Sequence, residues 1–418
     1  MTLTQRTSHR NPDEFPTVQL FLLAIVRLAE PIALTSIFPY AWALIKRFEV
    51  GNEDDASFYA GLLISAFSLA EALMGMYWGG LSDRVGRKPV LLLGCIGTMF
   101  SMVMVGFAEN IWVALIGRAL GGLLNGNIGV IQTMVWRAAR AYSIKTSDAM
   151  KRPAVDLRNE NYGTMRSRDA APPASPSWTK EQQPPISIFY RRIMAIILAL
   201  SIFTYHSMTF DHLLPIFFED DRIPNNNIPT TLALASGNPF YSPGGLGMSL
   251  QAVGVVMAEQ GAIALFMQAV VFPIMADRVG IYRLFLFITV LHPLVYLLVP
   301  WLLYVPEAAL WPAIYAVLAV RNFFSILLYP LLLILIKEAT PSSTVLGRVN
   351  GLAASAGAAC RMVAPPVAGY LYAMGRKVDC TALAWYGSAA VAVVGAVQCF
   401  AVKRQREDKG KRPMDVEE

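Results

Sequence analysis

Apolar residues in this chain come in long runs broken by short polar turns. They show neither the alternation of a half-buried strand nor the one-sided stripe of a surface helix. A helix needs about 20 mainly apolar residues to cross a bilayer. Ten segments meet that length: 17–45, 57–78, 89–108, 111–135, 187–208, 248–275, 284–305, 309–336, 344–374 and 380–402. The pattern predicts an all-α, polytopic membrane protein of about ten spans. Segments 17–45 and 344–374 exceed the need, so tilt, a kink or projection is expected there. Asp211 and His212 fall just past the fifth span, near its outer end.

The runs fall into two groups. Four spans occupy 17–135 and six occupy 187–402, with polar ends at 1–16 and 403–418. Between the groups, 136–186 is rich in Ser, Pro, Arg, Lys and Asp and carries "AAPPASPSW". Such a stretch cannot bury enough apolar surface to fold alone and reads as a disordered basic cytoplasmic linker. The longest external loop, Asp220–Gly245, is marked as irregular by its Asn, Pro and Gly.

Composition agrees with this layout. Of 418 residues, 55% are hydrophobic and 15% charged, against about 25% charged in soluble domains. A soluble enzyme would need more polar surface. The formal charge of +6 reads as topology, not nucleic-acid binding. With the N-terminus inside, the inner segments hold 26 of the 35 Lys and Arg and the outer loops five. That bias predicts both termini in the cytoplasm. Cys95, Cys360, Cys380 and Cys399 are scattered, as are the four histidines, so no metal or cofactor is expected. No cleavable leader, Asn-x-Ser/Thr site or phosphate-binding G-x-x-x-x-G-K-[ST] loop occurs.

One polar interruption is repeated. "SDRVGRK" (Ser82–Lys88) recurs as "ADRVGIYR" (Ala276–Arg283), each between the second and third span of its half. The shared position points to a parallel duplication, a transporter architecture. Gly79 and Gly80 permit close helix approach, Gly86 permits a sharp turn, and Asp83 suits helix N-terminal amides. Arg84, Arg87 and Lys88 hold the turn in the cytoplasm. On physical grounds a mobile latch and a purely topogenic loop stand equal.

"WGGLSDRVGRK" (Trp78–Lys88) resembles the G-x-L-a-D-R-x-G-R-K signature of the major facilitator superfamily. The resemblance covers roughly 17–135 and 187–402. "GRALGGLLNGNIGV" (Gly117–Val130) is similar to the family's fourth-span motif, and "RLAEPIALTSIFPY" (Arg27–Tyr40) narrows the likeness to the fungal and plant branch that includes zinc-induced-facilitator-like transporters and drug:proton antiporters. The resemblance implies two helical bundles and a switch loop of Gly79, Asp83, Arg84, Gly86, Arg87 and Lys88. The second copy, Asp277, Arg278 and Gly280, departs from the pattern: Pro273 stands where Gly79 does, and Ile281 and Tyr282 replace the Arg-Lys pair. A family member has twelve spans. After "IGVIQTMV" (Ile128–Val135) no apolar run near 20 residues appears before 187, so the helix 5–6 pair is missing from its expected place.

Ionisable groups inside spans are candidates for coupling. Arg27 and Glu30 share a helix face. Glu30 is the expected proton carrier, with Arg27 as its modulator and Arg118 as a second element. A static ion pair is the other reading of each. Glu71, Asp211, Glu259, Arg321 and Arg361 are weaker candidates. Phe38, Tyr40, Trp42, Tyr205, Phe210, Phe323 and Phe324 could line an apolar pocket. The resemblance implies a secondary transporter and not an enzyme. It would export small organic compounds against inward protons, as a monomer in a plasma or vacuolar bilayer. The alternative is a transport-inactive truncated or mis-spliced product.

Overall fold

The computed structural model describes residues 32, 34–85, 87–125, 190–222, 242–340 and 343–402. It is all-α. Among the described residues no strand forms, and a single bridge joins Ser242 to Cys380. After a 3-10 turn at Phe38–Tyr40 and the short helix α1 (Ala41–Arg47), the first half supplies α2 (Ala56–Val85), α3 (Arg87–Gly106) and α4 (Ile111–Leu124). The second half begins with α5 (Arg191–Glu219). Then α6 (Leu250–Phe266) and α7 (Phe272–Val279) run as one rod through a π turn at Met267–Val271. The rest is α8 (Ile281–Leu298), α9 (Glu307–Ala339), α10 (Ser343–Lys377) and α11 (Ala382–Gln398).

Seven helical stretches among the described residues are long and apolar enough to cross a membrane: 56–74, 88–106, 191–219, 250–279, 281–304, 307–339 and 382–401. α10 is helical over 35 residues, but its many small and polar residues keep its hydropathy below that of the seven. The expected first span lies largely outside the described residues, as does the 136–186 linker. Local chemistry sets several ends. The Asn110 side chain accepts from the Val113 amide at 3.0 Å to start α4, and Ser249 accepts from the Ala252 amide to start α6. Gly280 takes φ 84° between α7 and α8, a conformation that glycine adopts without a Cβ clash. The second DRVG copy therefore turns at its glycine.

One expectation fails. α5 does not stop near 208 but continues to Glu219, so Asp211 and His212 sit inside the helix and His212 is buried. Asp211 reads as a boundary because it is charged. It is instead paired with Arg321, and the apolar run Leu213–Phe218 carries the helix onward.

Lipid tails are as apolar as leucine, so helices in a bilayer associate through close packing and polar contacts more than by hydrophobic expulsion. Both devices are visible. One core cluster runs through both halves and includes Leu63, Ile64 and Ala114 with Phe210, Phe217 and Trp385. A second cluster, with Leu200, Phe285 and Leu331, belongs to the second half alone. α2 is the hinge of this arrangement, lying against α4 within its own half and against α10 of the other.

Candidate functional site

The seam of α2 against α10 is tight at one end. A Cβ on Gly61 would stand 2.4 Å from the Pro365 carbonyl oxygen, and one on Gly369 would stand 2.2 Å from that of Ser57. The Ser57 hydroxyl donates to the Gly369 carbonyl at 2.8 Å. Beyond these contacts the chain ends meet as ions. Lys377 Nζ lies 2.8 Å from Asp55 Oδ1, and Arg376 lies 3.5 Å from Asp54 and 3.6 Å from Asp220. Tyr372 donates to Asp220 at 2.8 Å. Burial raises the Asp220 carboxyl above the usual carboxylate range, against the pull of Arg376 and Tyr372. The expected outer loops thus gather at one end of the molecule. Arg222 joins them through the Val305 carbonyl at 2.9 Å.

Midway along the seam Glu71 is buried. It accepts from Asn125 Nδ2 at 3.3 Å and pairs with Arg361 Nη2 at 3.5 Å. This pair joins the halves across 290 residues of sequence. Past it two glycines of α10 have room beside them. A Cβ on Gly351 would meet nothing within 4 Å, and one on Gly357 would meet only atoms at 3.9 Å. A cavity of about 220 Å³ lies there between α5, α9 and α10.

Two further centres lie within single halves. Arg118 is fully buried in α4, its guanidinium 4.8 Å from the Phe67 ring and Nη2 3.5 Å from the Leu34 carbonyl. In the second half Arg321 pairs with Asp211, lies 4.6 Å over the Phe210 ring, and donates to Ser207 and Asn322. One helix turn from Asp211, His206 shares a 2.6 Å hydrogen bond with Tyr296, and the His292 ring stands 4.7 Å away. Neither nitrogen of His292 has a hydrogen-bond partner among the described residues.

The structure therefore brings together Glu71 with Arg361 and Asp211 with Arg321. Arg118 lies instead against the Phe67 ring and the Leu34 carbonyl. Glu259 is exposed and accepts from Tyr315. Asp277, Arg278 and Lys88 are exposed. Arg27, Glu30 and Gly86 lie outside the described residues. Gly79, Asp83, Arg84 and Arg87 fall within helices, but their side-chain surroundings lie outside the description. Among the aromatic candidates, Phe38, Trp42 and Phe210 are core residues, and the cavity takes Tyr329 instead. Asn125, Asn322, Lys337 and Asn350 escaped the sequence reading. An amide inside an apolar run was the available signal for Asn125 and Asn322. Among the described residues no group of His, Cys, Asp and Glu is placed to hold a metal.

A sequence profile of the Major Facilitator Superfamily matches residues 23–140. A major facilitator superfamily multidrug transporter, mfsB of Aspergillus fumigatus, is 30% identical over an alignment covering 92% of this chain and 83% of the relative. That alignment runs over 510 positions, whereas 92% of 418 residues is about 385, so roughly 125 positions have no counterpart here. Protein zinc induced facilitator-like 1 of Arabidopsis thaliana is 35% identical over 28% of this chain and 25% of its own. The crystal structure of the human organic anion transporter MFSD10 shares the fold with a TM-score of 0.55, covering 92% of this chain and 100% of that one at 16% identity. This chain belongs to the major facilitator superfamily of membrane transporters, and is an integral, multi-pass membrane protein.

Proposed function

We propose that this member of the superfamily exports small organic compounds by alternating access, driven by inward proton flow, with both termini in the cytoplasm. The observation that carries the reading is the uneven seam. α2 and α10 touch backbone to backbone at the Ser57–Gly369 end and pair as ions at Glu71–Arg361, and beyond that pair Gly351 and Gly357 of α10 have no close neighbour. This is the form of two bundles closed on one face and open on the other around a midplane. The lysine and arginine bias makes the closed face the outer one. Opening it must break the Lys377–Asp55 and Arg376–Asp54 pairs. The Gly79–Lys88 turn would latch the opposite face, with Asp277, Arg278 and Gly280 as the weaker second copy.

Coupling is assigned to carboxylates within spans. Glu30 with Arg27 remains the first assignment and Arg118 the second element. Asp211 joins them, because its partner Arg321 also donates to Ser207 and Asn322 and so keeps polar contacts when the carboxylate takes up a proton.

The test is a cross-link. Asp55→Cys with Lys377→Cys, joined by a cleavable thiol-reactive linker in reconstituted vesicles, should stop proton-driven efflux until the linker is cut. Full-rate efflux from the cross-linked protein would sink the reading. Asp211→Asn and Glu30→Gln should each separate substrate flux from proton flux.

A second reading has its own support. The best apolar window of 250–279 is only 11% buried, against 56% for 191–219, and the fungal relative carries about 125 aligned positions more. On this reading the chain is a truncated, transport-inactive product lacking the helix 5–6 pair. Transcript sequence across the codons for Val135 and Trp136 decides it. An intervening coding segment for two spans would mark a mis-annotated full transporter, and its absence a true short form.

A further inference from the structure

The cavity at the open end of the seam has a one-signed wall. Arg361 enters it from α10 and Lys337 from the last turn of α9, with Thr204, Tyr329 and Asn350 between them. Leu200 and Leu333 give it an apolar side. Among the described residues no carboxylate lines it. The acid that pairs with Arg361 is turned away. The Glu71 side chain is 6% exposed, while that of Arg361 is 23% exposed and faces the open space. Arg361 Nε has no hydrogen-bond partner among the described residues. Lys337 is exposed and has no carboxylate within ion-pair distance among them. A partly exposed guanidinium, a point cation and three neutral polar side chains match the needs of an oxyanion. They would repel an organic cation that had to shed water to enter.

We propose that this cavity binds the anionic head of an amphipathic organic anion, a carboxylate, sulfonate or phosphate ester. Arg361 and Lys337 hold the head, and the apolar body lies along Leu200, Leu333 and the Tyr329 ring. As a statement about cargo this rests on the export reading, and it names the class of compound carried. As a binding site it stands alone. Arg361 is also the seam cation, so an anion in the cavity competes with Glu71 for it. Loading the site thereby weakens the one described ion pair that joins the halves at mid-seam.

The full chain in nanodiscs of zwitterionic lipid, with no ion gradient, tests this by fluorescence anisotropy. Carboxyfluorescein and ethidium serve as anionic and cationic probes of similar aromatic bulk. Carboxyfluorescein should bind at least tenfold more tightly at low ionic strength, with the preference shrinking as salt is added. Lys337→Gln should weaken it about tenfold, the loss of one charge-assisted contact, and Lys337→Glu should reverse the preference. Lys337 is exposed and outside the seam, so these variants should keep the wild-type melting point. Leu333→Ala should weaken both probes alike. Equal binding of the two probes, or carboxyfluorescein binding untouched by Lys337→Gln, overturns the proposal. A second arm adds phosphatidylglycerol to the nanodisc. Unchanged carboxyfluorescein affinity supports a soluble anion, whereas displacement that Lys337→Gln abolishes assigns the cavity to a lipid headgroup and overturns it. Binding is read here without a gradient, so anion selectivity in nanodiscs together with no proton-driven efflux from reconstituted vesicles would sink the export reading and leave the site intact.

Discussion

α2 and the α6–α7 rod occupy corresponding places, each running into a DRVG turn as the second span of its half. Their surroundings differ. α2 is covered by α10, the fifth span of the other half, with backbone-to-backbone approach at Gly61 and Gly369. Among the described residues the α6–α7 rod leans lightly on α9, α5, α8 and the Phe38–Tyr40 turn. A Cβ at Gly254 or Gly261 would meet nothing within 4 Å. Lipid contact alone does not make this difference, since 88–106 and 382–401 still bury 39% of their apolar windows against 11% here. Duplication supplies a reason. If the second span of half one packs on the fifth span of half two, symmetry asks the second span of half two to pack on the fifth span of half one. That is a span the sequence lacks in its expected place. On the proposed reading the bare rod is the footprint of the missing pair, and the exposed Glu259 and Gln268 are polar groups that a partner would cover.

The largest effect should come from glycines that look alike in sequence and differ in setting. Gly61→Leu or Gly369→Leu must push two helix backbones apart, a cost of about 3 kcal/mol or more for an overpacked site with no flexible neighbour. Gly254→Leu should change stability by less than about 0.5 kcal/mol. Melting in nanodiscs checks both. Equal penalties would show that the rod is covered and break the comparison.

Next in size is the ion pair across the seam. Removing one partner of a buried pair costs about 3–5 kcal/mol, and the 23% exposure of Arg361 places this pair at or below the low end of that range. Glu71→Ala should therefore cost more than the double variant Glu71→Ala/Arg361→Ala adds to it. Strict additivity in that cycle would mean the two side chains do not interact.

The helices were legible because a bilayer demands length, and apolar length is a local property of sequence. Partners were not. Glu71 and Arg361 both read as solitary, since 290 residues separate them. Nothing local in the sequence pairs Gly61 with Pro365 or Gly369 with Ser57. Asp211 misled in the opposite sense: its charge suggested a span boundary, while its neutralising arginine lay 110 residues on. The same holds for the cavity, whose two cations stand on different helices. What the sequence did carry was the repeated DRVG turn, and the structure adds that, among the described residues, the helix running into the second copy is the less covered of the two.

A smaller effect is expected from the exposed acid on the rod. Glu259→Leu removes a carboxylate that one tyrosine satisfies and leaves an apolar face for lipid. Stability should rise by up to about 1 kcal/mol if lipid covers the rod. A loss of similar size, measured by the same melting assay, would point to water or protein there and would return the rod to the class of buried seams.

The smallest effect is a slope with pH at the closed end of the seam. Burial raises the Asp220 carboxyl above the usual range although Arg376 and Tyr372 oppose it. The folded state then binds this proton more readily than the unfolded chain, whose aspartates titrate near about 3.9. Stability from this group is fully present below that unfolded value and declines as pH rises through the raised folded value, then levels off. The melting point of wild type minus that of Asp220→Asn should therefore fall from pH 4 upward and flatten once pH has passed the raised folded value. Both proteins share every other titrating group, so the difference isolates this one. A difference that climbs with pH would mean that Arg376, at 3.6 Å, outweighs burial. The closed end would then be held by the ion pair, and acid would loosen it.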